Sequence, residues 1–161
     1  MPLYELAEQV GAALAARGLR LVTAESCTGG WVAKTITDVP NSSQWFDRGF
    51  VTYSNEAKQE MLGVAAATLR EHGAVSAATV REMARGALAH SRADLAVAIS
   101  GIAGPGGGSA DKPVGTVWLA WARRDAQPRA LRVHLEGDRA MVREGAAVVA
   151  LQGVVDALER D

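Results

Sequence analysis

Near the amino end, apolar residues recur at helical spacing. Leu3, Leu6, Val10, Ala13 and Leu14 fall on one face, which predicts a helix from Leu3 to Arg17. Gly18 supplies its stop, because glycine readily takes the left-handed conformation that ends helices. The period then changes. Leu19 to Ala24 is a short run of apolar and β-branched residues, the expected first strand, and a helix resumes at Trp31-Val32-Ala33-Lys34-Thr35-Ile36. Gly49 to Tyr53 predicts a second strand, and Asn55 a cap for a short helix ending near Leu62. Thr79 to Ser91 reads as a helix with Val80, Met83, Ala84, Ala87 and Leu88 on one face. Asp94 to Ser100 is a continuous apolar strand of the kind buried on both sides. Val114 to Ala122 and Ala130 to Leu135 predict a strand pair, with Asp125 and Pro128 in the turn between them. Asp138 to Leu158 closes the pattern as a long helix capped by Asp138.

Strands that alternate with helices imply an α/β fold, here a three-layer α/β/α sandwich around a mixed, mostly parallel sheet. The late strand pair supplies the antiparallel neighbour. No repeat, linker or low-complexity stretch interrupts the pattern, so residues 1–161 read as one domain.

Charge and composition narrow the function classes. Lys and Arg number 17 against 18 Asp and Glu, a net charge of −1, which argues against a broad cationic surface for nucleic acid. A small pocket for one phosphate stays open. Hydrophobic residues at 48% and charged residues at 22% describe a globular chain, and its apolar runs are too short for a membrane helix. Met1-Pro2-Leu3-Tyr4-Glu5 lacks the pattern of a signal peptide. Cys27 is the single cysteine, which predicts a reducing, cytoplasmic setting. With one Cys and the dispersed His72, His90 and His134, neither a metal site nor a cofactor is expected. Trp31, Trp45, Trp118 and Trp121 are more than so small a core needs, and point to a homodimer surface.

Two loops directly follow predicted strands, where ligands bind in open α/β sheets. The first, Glu25 to Gly30, sets Ser26 and Thr28 before two glycines that open a helix, whose free amides suit an anion. It also reads as a plain strand-to-helix turn. The second, Gly101 to Ser109, is too rich in glycine for regular structure and is either a ligand loop or a connector. A third feature is Ser42-Ser43 before the second strand with Tyr53-Ser54-Asn55-Glu56-Ala57-Lys58 after it. Serine needs a base, and no histidine stands in a polar motif, so a Ser-His-Asp triad has little support. Lys58 can serve if its pKa is lowered, although a lone lysine on a helix is ordinarily a solvated surface residue. Cys27 reads as packing. The residues alone thus describe a glycine-lined cleft with hydroxyls and one or two cations, and name no reaction.

Ala24-Glu25-Ser26-Cys27-Thr28-Gly29-Gly30, Val51-Thr52-Tyr53-Ser54-Asn55-Glu56-Ala57-Lys58, Ser100-Gly101-Ile102-Ala103-Gly104-Pro105 and Lys112-Pro113-Val114-Gly115-Thr116-Val117 together resemble the CinA carboxy-terminal domain family, in its one-domain form. The resemblance implies a three-layer α/β/α domain that hydrolyses the carboxamide of nicotinamide mononucleotide to nicotinate mononucleotide and ammonia, in pyridine nucleotide salvage. It implies a Ser–Lys dyad of Ser43 and Lys58, with Ser26 as rival nucleophile and Tyr53 as a further site residue that relays a proton or orients Lys58. Arg139, with the Gly29–Gly30 helix start, is then expected at the substrate phosphate, Thr28 as a further substrate-binding residue, and the loop of Gly101, Ala103 and Gly104 as a source of backbone donors or a cover over the ring. The competing class is a non-catalytic nucleotide-binding or regulatory module, since some domains of this family in two-domain proteins lack the activity.

Overall fold

A computed structural model describes residues 2–160 of the chain. Its elements run α1 (Leu3–Arg17), β1 (Leu21–Glu25), α2 (Trp31–Thr37), a single 3-10 turn (Ser42–Gln44), β2 (Phe46–Val51), α3 (Asn55–Leu62), α4 (Ala66–His72), α5 (Ala77–Ala89), β3 (Leu95–Gly101), β4 (Thr116–Arg123), β5 (Arg129–His134) and α6 (Arg139–Glu159). The strands form one sheet in the order β2-β1-β3-β4-β5. β2, β1 and β3 are parallel, while β4 is antiparallel to β3 and β5 to β4. The sheet is mixed, and its two parallel pairings are matched by two antiparallel ones. The carboxyl ends of β1, β2 and β3 therefore open on one edge.

Three layers follow from which side chains each strand turns outward. Leu95, Val97 and Ile99 of β3 and Val117, Leu119 and Trp121 of β4 pack beneath α1, α2 and α6. The alternate residues, Ala96, Ala98, Ala120 and Ala122, face α5 with Val80, Met83, Ala84 and Ala87. Small residues on that face let helices approach closely. Gly86 of α5 lies so near the Leu62 carbonyl that no Cβ fits between them.

Of the four tryptophans read as pointing to a homodimer surface, two belong to the core. Trp45 and Trp121 are buried, at 4% and 3% exposure, and each lies against a helix glycine. A Cβ on Gly11 of α1 would meet the Trp45 ring at 2.6 Å, and Gly153 of α6 is equally closed by Trp121. The Trp121 indole N–H donates to the Ala150 carbonyl at 3.0 Å, which satisfies its one polar atom. Trp31 and Trp118 are half-buried. Trp45 and Trp121 are core material seated in glycine notches.

Most element boundaries agree with the pattern to within two residues. The larger departures are α4 (Ala66–His72), a helix that no expected element covers, and β2, which begins at Phe46 rather than Gly49. It is an edge strand, so Asp47 and Arg48 are tolerated in it, and their polarity hid its start. Ser54, not Asn55, caps α3, accepting from the Ala57 amide at 3.0 Å.

Candidate active site

The edge where β1, β2 and β3 end holds a cavity of about 250 Å³. Ser26 and Cys27 line it from the end of β1, Tyr53 from the turn after β2, and Asn55 and Lys58 from α3. Ser100, Gly101 and Ala103 close it from β3 and the following loop, Ala74 and Val75 from the turn before α5, and Arg139 from the start of α6.

Lys58 is the least ordinary residue. It is 1% exposed, and its ammonium nitrogen lies 2.9 Å from Ser26 Oγ, 2.9 Å from the Thr52 carbonyl and 3.1 Å from the Tyr53 carbonyl. The helix cap at Ser54 starts α3 so that Lys58, one turn in, reaches back over the end of β2. Burial pushes its pKa below the usual lysine range, against the pull of Cys27 and Glu56 in the other direction. A neutral amine fits the geometry, with two N–H bonds to the two carbonyls and the lone pair facing the serine hydroxyl. When Lys58 is protonated, Ser26 accepts from it and can donate onward to the Tyr53 carbonyl, 3.4 Å away. Both proton arrangements are thus accommodated without moving a heavy atom.

Ser26 is held on the other side. Its amide donates to the Ile99 carbonyl at 3.0 Å, which keeps it in register with β3. Cys27 is buried beside it, and burial pushes the thiol up to about 11, so it stays protonated near neutral pH.

The site differs in three ways from the expected one. Ser43 is exposed in the 3-10 turn that leads into β2, whereas Lys58 follows the end of that strand. Six residues of strand separate the two positions by roughly 20 Å. Lys58 meets Ser26 instead. Second, Thr28, Gly29 and Gly30 do not line the cavity; they border a separate surface hollow with Trp31, Lys34 and Arg143. The amides that open α2 are already occupied, since the buried Glu25 carboxylate accepts from Val32 N at 2.9 Å, Ala33 N at 3.0 Å and the Thr28 hydroxyl at 2.6 Å. A carboxylate there excludes a phosphate from the same place. Third, the Tyr53 side chain is 63% exposed and its hydroxyl accepts from Arg139 at 3.3 Å, so Tyr53 meets Lys58 through its carbonyl only.

Arg139 does reach the cavity, donating to the Gly104 carbonyl at 2.8 Å, and Gly101 and Ala103 line its wall. Gly104 contributes that carbonyl and does not line the cavity. Asn55, Ala74, Val75 and Ser100 are not among the site residues expected from the sequence; Asn55 and Ser100 lie inside its motifs, whereas Ala74 and Val75 carry no signal at all. His72, His90 and His134 lie elsewhere. Among the described residues no group of three or more His, Cys, Asp or Glu could hold a metal, and no helix is long and apolar enough to cross a membrane.

Known proteins resemble the chain over nearly its full length. The family model described as the CinA C-terminal domain matches residues 3–158. A protein named nicotinamide-nucleotide amidohydrolase PncC, from Escherichia coli strain K12, is 61% identical over 150 residues, covering 93% of this chain and 91% of that one. A protein named CinA-like, from Akkermansia muciniphila, is 53% identical over 148 residues, covering 92% of this chain and 36% of that longer one. The crystal structure of a CinA-superfamily protein from Klebsiella pneumoniae superposes with a TM-score of 0.96 at 43% identity, covering all of both chains. By fold, by sequence and by the motifs that build its cavity, the chain belongs to the CinA C-terminal domain family.

Proposed function

We propose that the chain hydrolyses the carboxamide of nicotinamide mononucleotide, with Ser26 as nucleophile and Lys58 as its base. The contact between Lys58 Nζ and Ser26 Oγ, 2.9 Å and buried in the cavity, carries this reading. The similarity to an amidohydrolase of nicotinamide nucleotide supports the substrate.

Neutral Lys58 takes the serine proton as Oγ attacks the amide carbon, and the resulting ammonium gives that proton to the departing nitrogen as ammonia leaves. Water then attacks the acyl ester, Lys58 again takes the proton, and its return to Oγ frees the carboxylate product. Ser100, 1% exposed on the wall, supplies a hydroxyl for the developing oxyanion, a contribution of about 10²–10³ in rate for one good donor. Arg139 is the cation for the substrate phosphate, and its fork suits that anion. Among the described residues no carboxylate lines the cavity to repel the phosphate. The setting in this reading is cytoplasmic pyridine nucleotide salvage, without nucleic acid as a partner. A homodimer belongs to it as well, with the uncovered β5 edge and the apolar groove of Leu131, Val133, Val148 and Val149 beside it as available surface. A solution mass of one chain at micromolar concentration removes the dimer.

The second reading is a regulatory module that binds the nucleotide without hydrolysis, favoured by the similarity to a longer CinA-like protein. Ammonia release from the purified protein with nicotinamide mononucleotide separates the two. Tight binding of the nucleotide with no ammonia above a Lys58→Ala control selects the module.

A further inference from the structure

The turn that carries Ser26 is tied down by two groups of opposite kind. On its inner side the Glu25 carboxylate collects donors: Thr28 Oγ1 and the amides of Val32 and Ala33. On its outer side the Arg143 guanidinium collects acceptors, donating from Nε to the Cys27 carbonyl at 3.0 Å and from Nη2 to the Thr28 carbonyl at 3.2 Å. The Trp31 ring backs the guanidinium, with its centroid 5.6 Å from Cζ. Between these ties the backbone makes a turn that few residues permit, with Gly29 at φ 61° and Gly30 at φ 104°. Two consecutive peptide carbonyls after the nucleophile are therefore fixed by one side chain from a distant helix.

That helix also holds the opposite wall. Arg139 and Arg143 stand one turn apart on α6, and Arg139 donates to the Gly104 carbonyl and the Tyr53 hydroxyl. Lys58 is fixed independently by the Thr52 and Tyr53 carbonyls. The distance from Ser26 Oγ to Lys58 Nζ is thus set on one side by α3 and on the other by the turn that Arg143 grips. We propose that Arg143 is a positioning residue, which acts through the Cys27 and Thr28 carbonyls to keep Ser26 Oγ within proton-transfer reach of Lys58. This rests on the reading of Ser26 as nucleophile. A displacement of 1 Å in a reacting group can cost on the order of 10²-fold in rate.

The full chain with Arg143→Met keeps the aliphatic stem and loses the fork. With nicotinamide mononucleotide its kcat is expected to fall about 30- to 100-fold while KM stays within about threefold, because the cavity wall at Arg139 is untouched. Arg143→Ala should regain part of its kcat on addition of methylguanidinium, which refills the grip without a covalent tether. Labelling of Ser26 by a fluorophosphonate, read by mass of the intact protein, should slow in parallel. Parent-like kcat and labelling in Arg143→Met overturn the proposal. So does a fall in kcat that tracks a lowered melting temperature and is not rescued by methylguanidinium. If the parent releases no ammonia yet Ser26 labelling slows in Arg143→Met, the substrate reading fails while the positioning role stands.

Discussion

The two loops that leave the sheet beside the cavity are built in opposite ways. Residues 26–30, after β1, are tied on both sides: buried Glu25 accepts from Thr28 and from the first turn of α2, and part-buried Arg143 donates to the Cys27 and Thr28 carbonyls. Residues 102–113, after β3, are exposed over much of their length and held from outside by long cations. Arg139 reaches the Gly104 carbonyl, Arg132 the Asp111 carbonyl, and Lys112 the His72 carbonyl at 2.8 Å. With Ser26 as the proposed nucleophile, the first loop carries a group whose position must be good to a fraction of an ångström. In the same proposal the second borders the substrate, and its ties are solvated ones. The buried ties thus gather at the loop that the proposed chemistry needs held still.

The largest test of this contrast lies at Ser26 and Lys58. Ser26→Ala, Lys58→Ala and the double variant should each lose at least about 10³-fold in kcat and reach similar residual rates, because partners in one proton transfer are not additive. Lys58→Arg should fail with them, since a guanidinium stays protonated. Ser43→Ala should retain most of its activity. The parent kcat should rise with pH through the lowered Lys58 pKa, because only the neutral amine accepts a proton. Parent-like turnover by Ser26→Ala would transfer the chemistry elsewhere.

Next in size is Glu25→Ala. It strips three donors of a fully buried acceptor, which should cost about 2–5 kcal/mol and lower the melting temperature by roughly 5–15 °C. A shift below about 2 °C by calorimetry would show that the first loop does not depend on its inner tie.

Cys27→Ala should keep at least a tenth of the activity, and it isolates a pH effect in the same loop. The thiol ionises near 9.0 when unfolded and near 11 when folded. Between those values the native state holds a proton that the unfolded chain has released, so stability falls as pH rises across that window. The loss amounts to about 2–3 kcal/mol for the parent and should vanish in Cys27→Ala, read as the difference between their denaturant midpoints.

The smallest effect is expected in the second loop. Lys112→Met removes an exposed pin, so KM should rise about two- to fivefold while kcat and melting temperature barely move. A kcat loss as large as that of Arg143→Met would erase the distinction between the loops.

What the sequence revealed, and what it hid, follows the same division between local and distant causes. α1 ends at Arg17 as its period and Gly18 require, because both signals lie in adjacent residues. β3 reads directly as a buried strand, since every residue from Leu95 to Ser100 is covered. The pairing of Ser43 with Lys58 failed for a topological reason. β1 and β2 are parallel, so residues before β2 and residues after it belong to opposite edges of the sheet, while those after β1 and after β2 share one. Thr28, Gly29 and Gly30 looked like an anion site because the helix start was visible and its occupant, Glu25, had no role assigned. Arg143 was hidden differently. It lies one turn beyond Arg139, but its partners are more than a hundred residues away.

The glycine notches have a consequence for how this sequence can drift. With Trp45 in place, a Cβ on Gly11 meets the ring at 2.6 Å, and Gly153 is closed in the same way by Trp121. A lineage therefore cannot exchange either glycine first without passing through an overpacked intermediate. The open route begins at the tryptophan, accepts a cavity, and fills it from the helix afterwards. Gly11 with Trp45, and Gly153 with Trp121, are heritable pairs: relatives that lack one member of a pair should lack the other, and the order of the two replacements is set by packing before selection on activity has any part in it.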